Sequence, residues 1–173
     1  MLLSFFFFSV LPTDSRITAL THHPSSPYLR SGDRSELLRG PLYYCIVLTL
    51  VTLLLWRHNL TSIAITSVMC AGDGLADIVG RRFGQSPASK LPWSRSKSVP
   101  GSAAMFVGGF AMAAALTAYF GYFGLVTYDE QTLATMALIS LAATALESLD
   151  EFVQLDDNLS VPLLSCGLGL WLL

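Results

Sequence analysis

Long apolar runs separated by short polar segments are the main pattern along this chain. An apolar α-helix needs about 20 residues to cross the hydrocarbon core of a membrane, and several of these runs approach that length. The pattern therefore predicts an all-α fold, a polytopic bundle of about five transmembrane helices. The predicted spans are residues 41–56, 60–79, 99–124, 131–147 and 159–173.

The third run is rich in small residues. Small side chains let two helix backbones approach closely, so we expect this span to pack tightly against a neighbouring helix. The small residues concerned are Gly101, Ser102, Gly108, Gly109 and Ala113.

The first 28 residues do not fit the spanning pattern. They join a short apolar run to a polar stretch that contains several prolines. The run is too short for a span, and it lacks the basic residues that open a signal peptide. We predict that residues 1–28 are a tail or a residual targeting or hydrophobic segment, and that residues 29–173 form one membrane domain.

Composition supports a lipid environment. Hydrophobic residues make up 53% of the chain and charged residues only 13%, whereas soluble domains carry about 25% charged residues. The bilayer is therefore an expected partner. With a net charge of −2 there is no basic excess, and no nucleic-acid partner is expected. The three cysteines lie in apolar runs without C-x-x-C spacing, which argues against a zinc site or a disulfide framework.

Threading the five predicted spans through a bilayer sorts the charged residues by side. The basic residues of segments 30–39 and 80–98 fall on one side, against Arg57 on the other. The positive-inside rule makes that side cytoplasmic or its stromal equivalent. The same side receives Asp73, Asp77 and the acidic segment 147–158. We therefore expect two carboxylate clusters and one basic cluster at the same end of the bundle.

Asp73 and Asp77 lie near the end of the second apolar run. Their spacing of four residues puts both carboxylates on one side of a helix. Ionisable residues at membrane depth are costly, which favours a functional role over plain interfacial carboxylates, one of them paired with Arg81. Because Mg²⁺ combines one or two carboxylates with phosphate oxygens and water, we interpret the pair as ligands of a metal–polyphosphate.

The basic loop after this pair could hold the phosphates. Its basic residues are Arg81, Arg82, Lys90, Arg95 and Lys97. Lys97 also precedes the start of the third predicted helix at Gly101 and Ser102, an arrangement that resembles a phosphate seat of helix amides and a lysine. A basic loop that only sets topology and touches anionic lipid is the alternative. The Walker A and dinucleotide fingerprints are both absent.

A second acidic cluster lies between the fourth and fifth runs. Glu147 ends the fourth run, and Asp156, Asp157 and Asn158 precede the fifth. Asp157 or Asn158 could cap the last helix. Three such residues in a row exceed what a cap needs, so this cluster is predicted to have a catalytic or metal-binding role.

Five motifs occur in order: GDGLADIVGRRFG, KLPW, KSVPGSAAMF, ALESL and DDNLSVPL. Together they resemble the phytol kinase and farnesol kinase family of plants and algae, within the superfamily of dolichol kinase and other CTP-dependent lipid kinases. The resemblance covers about residues 29–173. It implies a polytopic enzyme of the plastid membrane that phosphorylates an isoprenoid alcohol with CTP, or another nucleoside triphosphate, and Mg²⁺. Phytol is the expected alcohol, in support of tocopherol synthesis, with farnesol and geranylgeraniol as alternatives.

The resemblance also implies roles for individual residues. The catalytic residues would be Asp73, Asp77, Glu147 and Asp157. The nucleotide phosphates would be held by Arg81, Arg82, Lys90, Lys97, Gly101 and Ser102. The metal would be held by Asp73, Asp77, Asp156 and Asn158.

The sequence departs from the family pattern at two motifs. It has KSVPGS and ESLD where the family commonly has KSWAGS and ESLP, so Asp150 adds a charge to the acidic segment. Family members carry further helices before the matched region, and the domain is therefore expected to be N-terminally incomplete. Two alternatives stay open: a cytidylyltransferase that acts on a lipid phosphate, and a truncated, non-catalytic relative.

Overall fold

The structure is a computed structural model that describes residues 34–55, 59–94, 96–149 and 157–173. For residues 34–41, 157 and 158 this description covers the backbone only. The chain divides into two compact units, Met1–Leu42 and Tyr43–Leu173. Apart from the start of the first helix, the described helices and cavities belong to the second unit.

Throughout the described residues the regular structure is helical, apart from one isolated bridge between Lys90 and Ser98. The helices are α1 (Arg34–Leu54), α2 (Leu60–Ser67), a π-helix (Val68–Asp73), α3 (Gly74–Phe83), a 3₁₀ turn (Pro87–Ser89), α4 (Val99–Tyr122), α5 (Glu130–Ser148) and α6 (Asp157–Leu172). The predicted all-α fold is confirmed, and each predicted span overlaps a helix of the described residues.

Two helices extend at least four residues beyond their predicted bounds, and the other differences at the helix ends are two residues or fewer. α1 begins at Arg34 instead of Pro41, because its first two turns are polar and do not register as part of an apolar run. The helix that starts at Leu60 continues through the π-helix to Phe83, four residues past the predicted end. Its last turns are held by an Asp77–Arg81 pair four residues apart, which a search for apolar runs does not detect.

Side-chain caps fix three helix starts. The Asn59 side chain accepts a hydrogen bond from the Thr61 N–H at α2, and the Ser98 side chain accepts one from the Gly101 N–H at α4. At α5, Asp129 and Thr132 form a reciprocal capping box. Because these caps satisfy amides that have no partner within the helix, each polar-to-apolar boundary becomes a sharp helix start.

α4 is the central helix of the described bundle, since it packs against α2, the π-helix, α3 and α5. The predicted close approach of its small residues is present. A Cβ added at Gly108 would lie 2.6 Å from Leu75 Cδ1 and 3.0 Å from the Ala71 carbonyl oxygen. Only a glycine lets α4 pass this close to the π-helix and α3.

By length and composition, two helices of the described residues could cross a membrane: Leu60–Phe83 and Val99–Tyr122. Leu42–Leu54 and Leu159–Leu172 are apolar but shorter. The count of about five spans stays a prediction.

Candidate functional site

A cavity of about 360 Å³ opens where α3, the loop before α4 and the last turn of α5 meet. It collects most of the chemistry-bearing residues that the sequence singles out. Its lining residues are Asp73, Ala76, Asp77, Gly80, Arg81, Gly84, Gln85, Lys90, Ser96, Lys97, Ser98, Gly101, Ser102 and Glu147. The sequence threading predicted that these separate segments meet at one end of the bundle, and within the described residues they do. We call this cavity the charged cavity.

The π-helix positions Asp73, its last residue. A π-helical turn holds more residues than an α-helical turn, so it rotates α3 relative to α2; such segments are frequent at functional sites. Asp77 and Arg81 then lie one and two turns further along α3, with Arg81 Nε donating to Asp77 Oδ1 at 2.6 Å. Both side chains are more than half exposed, so this pair is open to a ligand from solution.

The basic loop is folded back on itself beside α3. The Leu91 N–H donates to the Lys97 carbonyl oxygen at 3.3 Å, and the Lys90 ammonium donates to the Ser96 carbonyl oxygen at 3.0 Å. The buried Ser94 accepts from the Lys97 N–H through its hydroxyl oxygen. These bonds hold both lysines at the rim of the charged cavity.

Lys97 joins the loop to α5. Its ammonium donates to Glu147 Oε1 at 2.9 Å, and the two side chains are only 24% and 12% exposed. Because both side chains are partly withdrawn from water, the ion pair has a desolvation cost, and each partner depends on the other for compensation. The cavity therefore holds two different ion pairs: an exposed one on α3 and a largely buried one between loop and α5.

The start of α4 differs from the predicted phosphate seat. Pro100 has no N–H, the Gly101 N–H donates to Ser98 Oγ, and the Ser102 N–H donates to the Ser98 carbonyl oxygen. A Cβ at Gly101 would lie 3.2 Å from the Ala76 carbonyl oxygen and 3.3 Å from Gly80 Cα. Gly101 therefore serves the close packing of α4 on α3. α4 contributes to the cavity the hydroxyls of Ser98 and Ser102 and the positive end of its helix dipole.

Not every predicted site residue lines the charged cavity. Arg82 does not, and its guanidinium carbon lies 5.7 Å from the centre of the Phe83 ring. Asp156 lies outside the described residues, and the side chains of Asp157 and Asn158 are outside the description as well. The metal and catalytic roles assigned to these three residues stay predictions.

Sequence reasoning missed several lining residues. Gly80 and Gly84 follow Asp77 at helical spacing, and a Cβ at Gly84 would lie 2.5 Å from both Ser98 Cβ and the Gly80 carbonyl oxygen. The glycine spacing was the available signal. Gln85 and Ser96 gave no signal, because their position depends on how the loop folds back.

The charged cavity suits a metal that arrives with its ligand. Across the described ranges 34–55, 59–94, 96–149 and 157–173, no three His, Cys, Asp or Glu side chains are grouped to hold a metal on their own. Mg²⁺ needs only one or two carboxylates when phosphate oxygens and water complete its coordination. Asp73 and Asp77 meet that requirement, although they do not by themselves supply all the ligands of a metal ion.

Curated relatives are similar to most of this chain. It is 48% identical over 135 residues to a probable chloroplastic phytol kinase of Triticum aestivum, a match that covers 78% of the chain and 44% of that protein. It is 46% identical to the Zea mays protein of the same name, and 41% identical over 140 residues to the chloroplastic farnesol kinase of Arabidopsis thaliana, covering 45% of the latter. The chain thus spans less than half the length of these relatives. No family model and no solved structure matches it.

Proposed function

The chain belongs to the phytol kinase and farnesol kinase family, as its motifs predict, and we propose that it forms the phosphate-transfer part of an isoprenoid alcohol kinase. The observation that carries this proposal is the charged cavity, which combines carboxylates, lysines and an arginine at one end of an apolar bundle. A phosphate donor from water and an alcohol from lipid can meet at such a place. The relatives' names support phytol or farnesol as the alcohol and the chloroplast as the compartment.

The two ion pairs suit a ligand that carries both signs of charge. Arg81 pairs with Asp77, and Lys97 pairs with Glu147. A magnesium–triphosphate offers oxygens to the cations and a metal to the carboxylates. Arg81 can therefore move from Asp77 to a phosphate while the metal takes its place. Lys97 can contact a phosphate while it keeps Glu147, so that neither of these partly buried charges is left uncompensated. When bound, Mg²⁺ would be held by Asp73 and Asp77 and would neutralise phosphate charge.

In the proposed reaction the alcohol oxygen attacks the γ-phosphorus of a nucleoside triphosphate. A new P–O bond forms to the alcohol, the bond to the oxygen bridging the β-phosphate breaks, and a nucleoside diphosphate leaves. Glu147 accepts the hydroxyl proton, while Lys90, Lys97 and Arg81 hold the phosphates in line. Phosphoryl transfer needs mainly positioning and charge neutralisation, and these residues supply both.

The finer parts of the proposal come from the family. The donor is CTP, the enzyme is integral to a plastid membrane, and phytyl phosphate made from chlorophyll-derived phytol enters tocopherol synthesis. The apolar helices Leu60–Phe83 and Val99–Tyr122 support the membrane location.

Product analysis tests the proposed function. Membranes that contain the chain are incubated with phytol, farnesol or geranylgeraniol, Mg²⁺ and γ-labelled CTP, next to membranes without it. We expect a labelled isoprenyl phosphate that depends on both chain and metal. A CDP-lipid formed from a lipid phosphate would instead identify a cytidylyltransferase. No labelled product with any of the three alcohols would contradict an alcohol kinase activity of this chain.

A further inference from the structure

A second, smaller cavity adjoins the charged cavity. Its volume is about 20 Å³, and its lining residues are Tyr44, Val68, Met69, Asp73, Met105, Glu147, Val161 and Pro162. Asp73 and Glu147 line both cavities. These two carboxylate residues therefore form the boundary between a charged space and an apolar one.

The apolar walls of the small cavity are part of the bundle core. Val68, Met105 and Val161 are 1%, 2% and 5% exposed and belong to one buried hydrophobic cluster. On the side of α1, the Tyr44 hydroxyl donates to Cys70 Sγ at 3.3 Å, so it is already engaged outside the cavity. Apart from the two carboxylates, the walls offer a ligand mainly carbon and sulfur.

The volume decides how much of a ligand fits. A cavity of about 15 Å³ accommodates one water-sized group. A volume of about 20 Å³ therefore suits one water-sized group such as a hydroxyl, and it is too small for an isoprenyl chain or a branched carbon.

We propose that this cavity is a carbinol pocket, which receives the hydroxyl end of the isoprenoid alcohol between Asp73 and Glu147 and selects primary over tertiary alcohols. The inference rests on the proposed function. In a primary alcohol the hydroxyl is borne by an unbranched CH₂, so the hydroxyl can enter the pocket while this carbon stays at its opening. A tertiary alcohol carries two further carbon substituents at the same atom, and the buried Val161 and Met105 stand in their way.

Competition for photolabelling tests the carbinol pocket without requiring turnover. The probe is a farnesol analogue whose diazirine lies on the carbon next to the carbinol carbon, at the opening of the pocket, and it is bound to the full chain in detergent with Mg²⁺ and CTP. The competitors are phytol and its tertiary isomer isophytol. One extra methylene in a fitted pocket changes selectivity about 10- to 200-fold. We therefore expect phytol to compete at least about 10-fold better than isophytol, with the label on peptides that contain Val68–Asp73 or Val161.

A matched pair of variants locates the selectivity. Val161→Ala enlarges the carbinol pocket and should reduce the ratio by which phytol competes better than isophytol by about 10-fold. Val126→Ala removes the same atoms from an equally buried site in the other core cluster and should leave the preference unchanged. Thermal unfolding of both variants controls for folding. Should Val161→Ala unfold, the position of the label in the unsubstituted chain still decides.

Equal competition by phytol and isophytol, labelling elsewhere, or an unchanged preference in a folded Val161→Ala would overturn the carbinol pocket. Binding of Mg²⁺ and CTP, measured on the same samples as protection against unfolding, separates the two proposals. If Mg²⁺ and CTP protect the chain against unfolding but phytol and isophytol compete equally, only the carbinol pocket is contradicted. If Mg²⁺ and CTP give no protection, the proposed function is contradicted.

Discussion

The two ends of the bundle both contain a cavity, and only one of them is suited to phosphate chemistry. The charged cavity has a volume of about 360 Å³. The cavity at the opposite end is larger, about 490 Å³, and none of its lining residues has a charged side chain. Those residues are Asn59, Leu60, Thr61, Gly124, Leu125, Val126, Thr127, Gly169, Leu170 and Leu173.

Charge placement, rather than open space, therefore distinguishes the candidate site. At the opposite end polar groups are used for helix starts: Asn59 caps α2, and Asp129 and Thr132 cap α5. At the charged end Asp77 pairs with Arg81 within α3, and Glu147 of α5 pairs with Lys97 of the loop. All four side chains line the cavity, and neither carboxylate caps a helix. The comparison predicts that substitutions at the two ends have effects of different kinds.

The largest effect is expected from Asp73→Asn. The substitution removes a carboxylate that lines both the charged cavity and the carbinol pocket, while keeping its size. We expect phosphorylation of phytol to fall at least about 100-fold, the lower range for a lost acid–base or charge-stabilising group. Thr127→Ala, on an exposed residue of the opposite cavity, should change the rate less than about 2-fold. Similar rates of phytol phosphorylation in the two variants would contradict a functional difference between the two ends of the bundle.

Arg81 and Arg82 provide the next test because they are adjacent in sequence. Only Arg81 lines the charged cavity. Arg81→Met should weaken protection of the chain by Mg²⁺ and CTP about 10-fold, the effect of one charge-assisted contact to phosphate. Arg82→Met should weaken it less than about 2-fold. An equal loss in both variants would indicate a diffuse basic surface instead of a formed site.

The two ion pairs should differ in their contribution to stability. Glu147→Gln leaves the largely buried Lys97 without its carboxylate, and we expect a loss of about 1–3 kcal/mol in unfolding free energy. Asp77→Asn breaks an exposed pair within one helix and should cost at most about 0.5 kcal/mol. Chemical unfolding in detergent measures both. An equal cost would mean that Lys97 and Glu147 do not form the buried link between loop and α5.

The smallest effect is expected at the opposite end, where Asp129 caps α5. Hydrogen bonds from the Thr132 N–H and hydroxyl lower the pKa of Asp129 from its usual value of 3.8. Because the pKa is lowered in the folded state, the charged cap stabilises the protein at pH values above that usual pKa. The stabilisation disappears as the pH falls through the folded-state pKa. When the pH is lowered from about pH 6 to pH 3, the unfolding temperature should therefore fall more in the unsubstituted chain than in Asp129→Asn. Parallel plots of unfolding temperature against pH for the two proteins would contradict this.

Much of the charged end could be predicted from sequence, because hydropathy gives the helices and their alternation fixes which loops meet. Three details could not. Arg82 was grouped with Arg81 by adjacency, although one residue along a helix rotates the side chain by about 100°. Asp73, Asp77, Arg81 and Gly84 instead follow helical spacing. The role of Gly101 depends on the space left by α3, and Ser96 reaches the cavity only because the loop folds back.

The π-helix is a further feature that hydropathy does not contain. Its extra residue per turn changes the register between Val68 and Asp73, and with it the direction in which Asp73 leaves the helix. The carbinol pocket depends on this register, since Val68, Met69 and Asp73 line it together.

Photolabelling with an azido derivative of CTP in the presence of Mg²⁺ tests most directly whether the charged cavity binds the phosphate donor. Digestion after labelling separates the peptides of the two ends. We predict label on peptides from Asp73 to Ser102 that excess CTP prevents, with strongly reduced labelling in Arg81→Met and not in Arg82→Met. Label on the peptides that contain Asn59–Thr61, Gly124–Thr127 or Gly169–Leu173, or no label that CTP competes for, would contradict binding of the donor in the charged cavity.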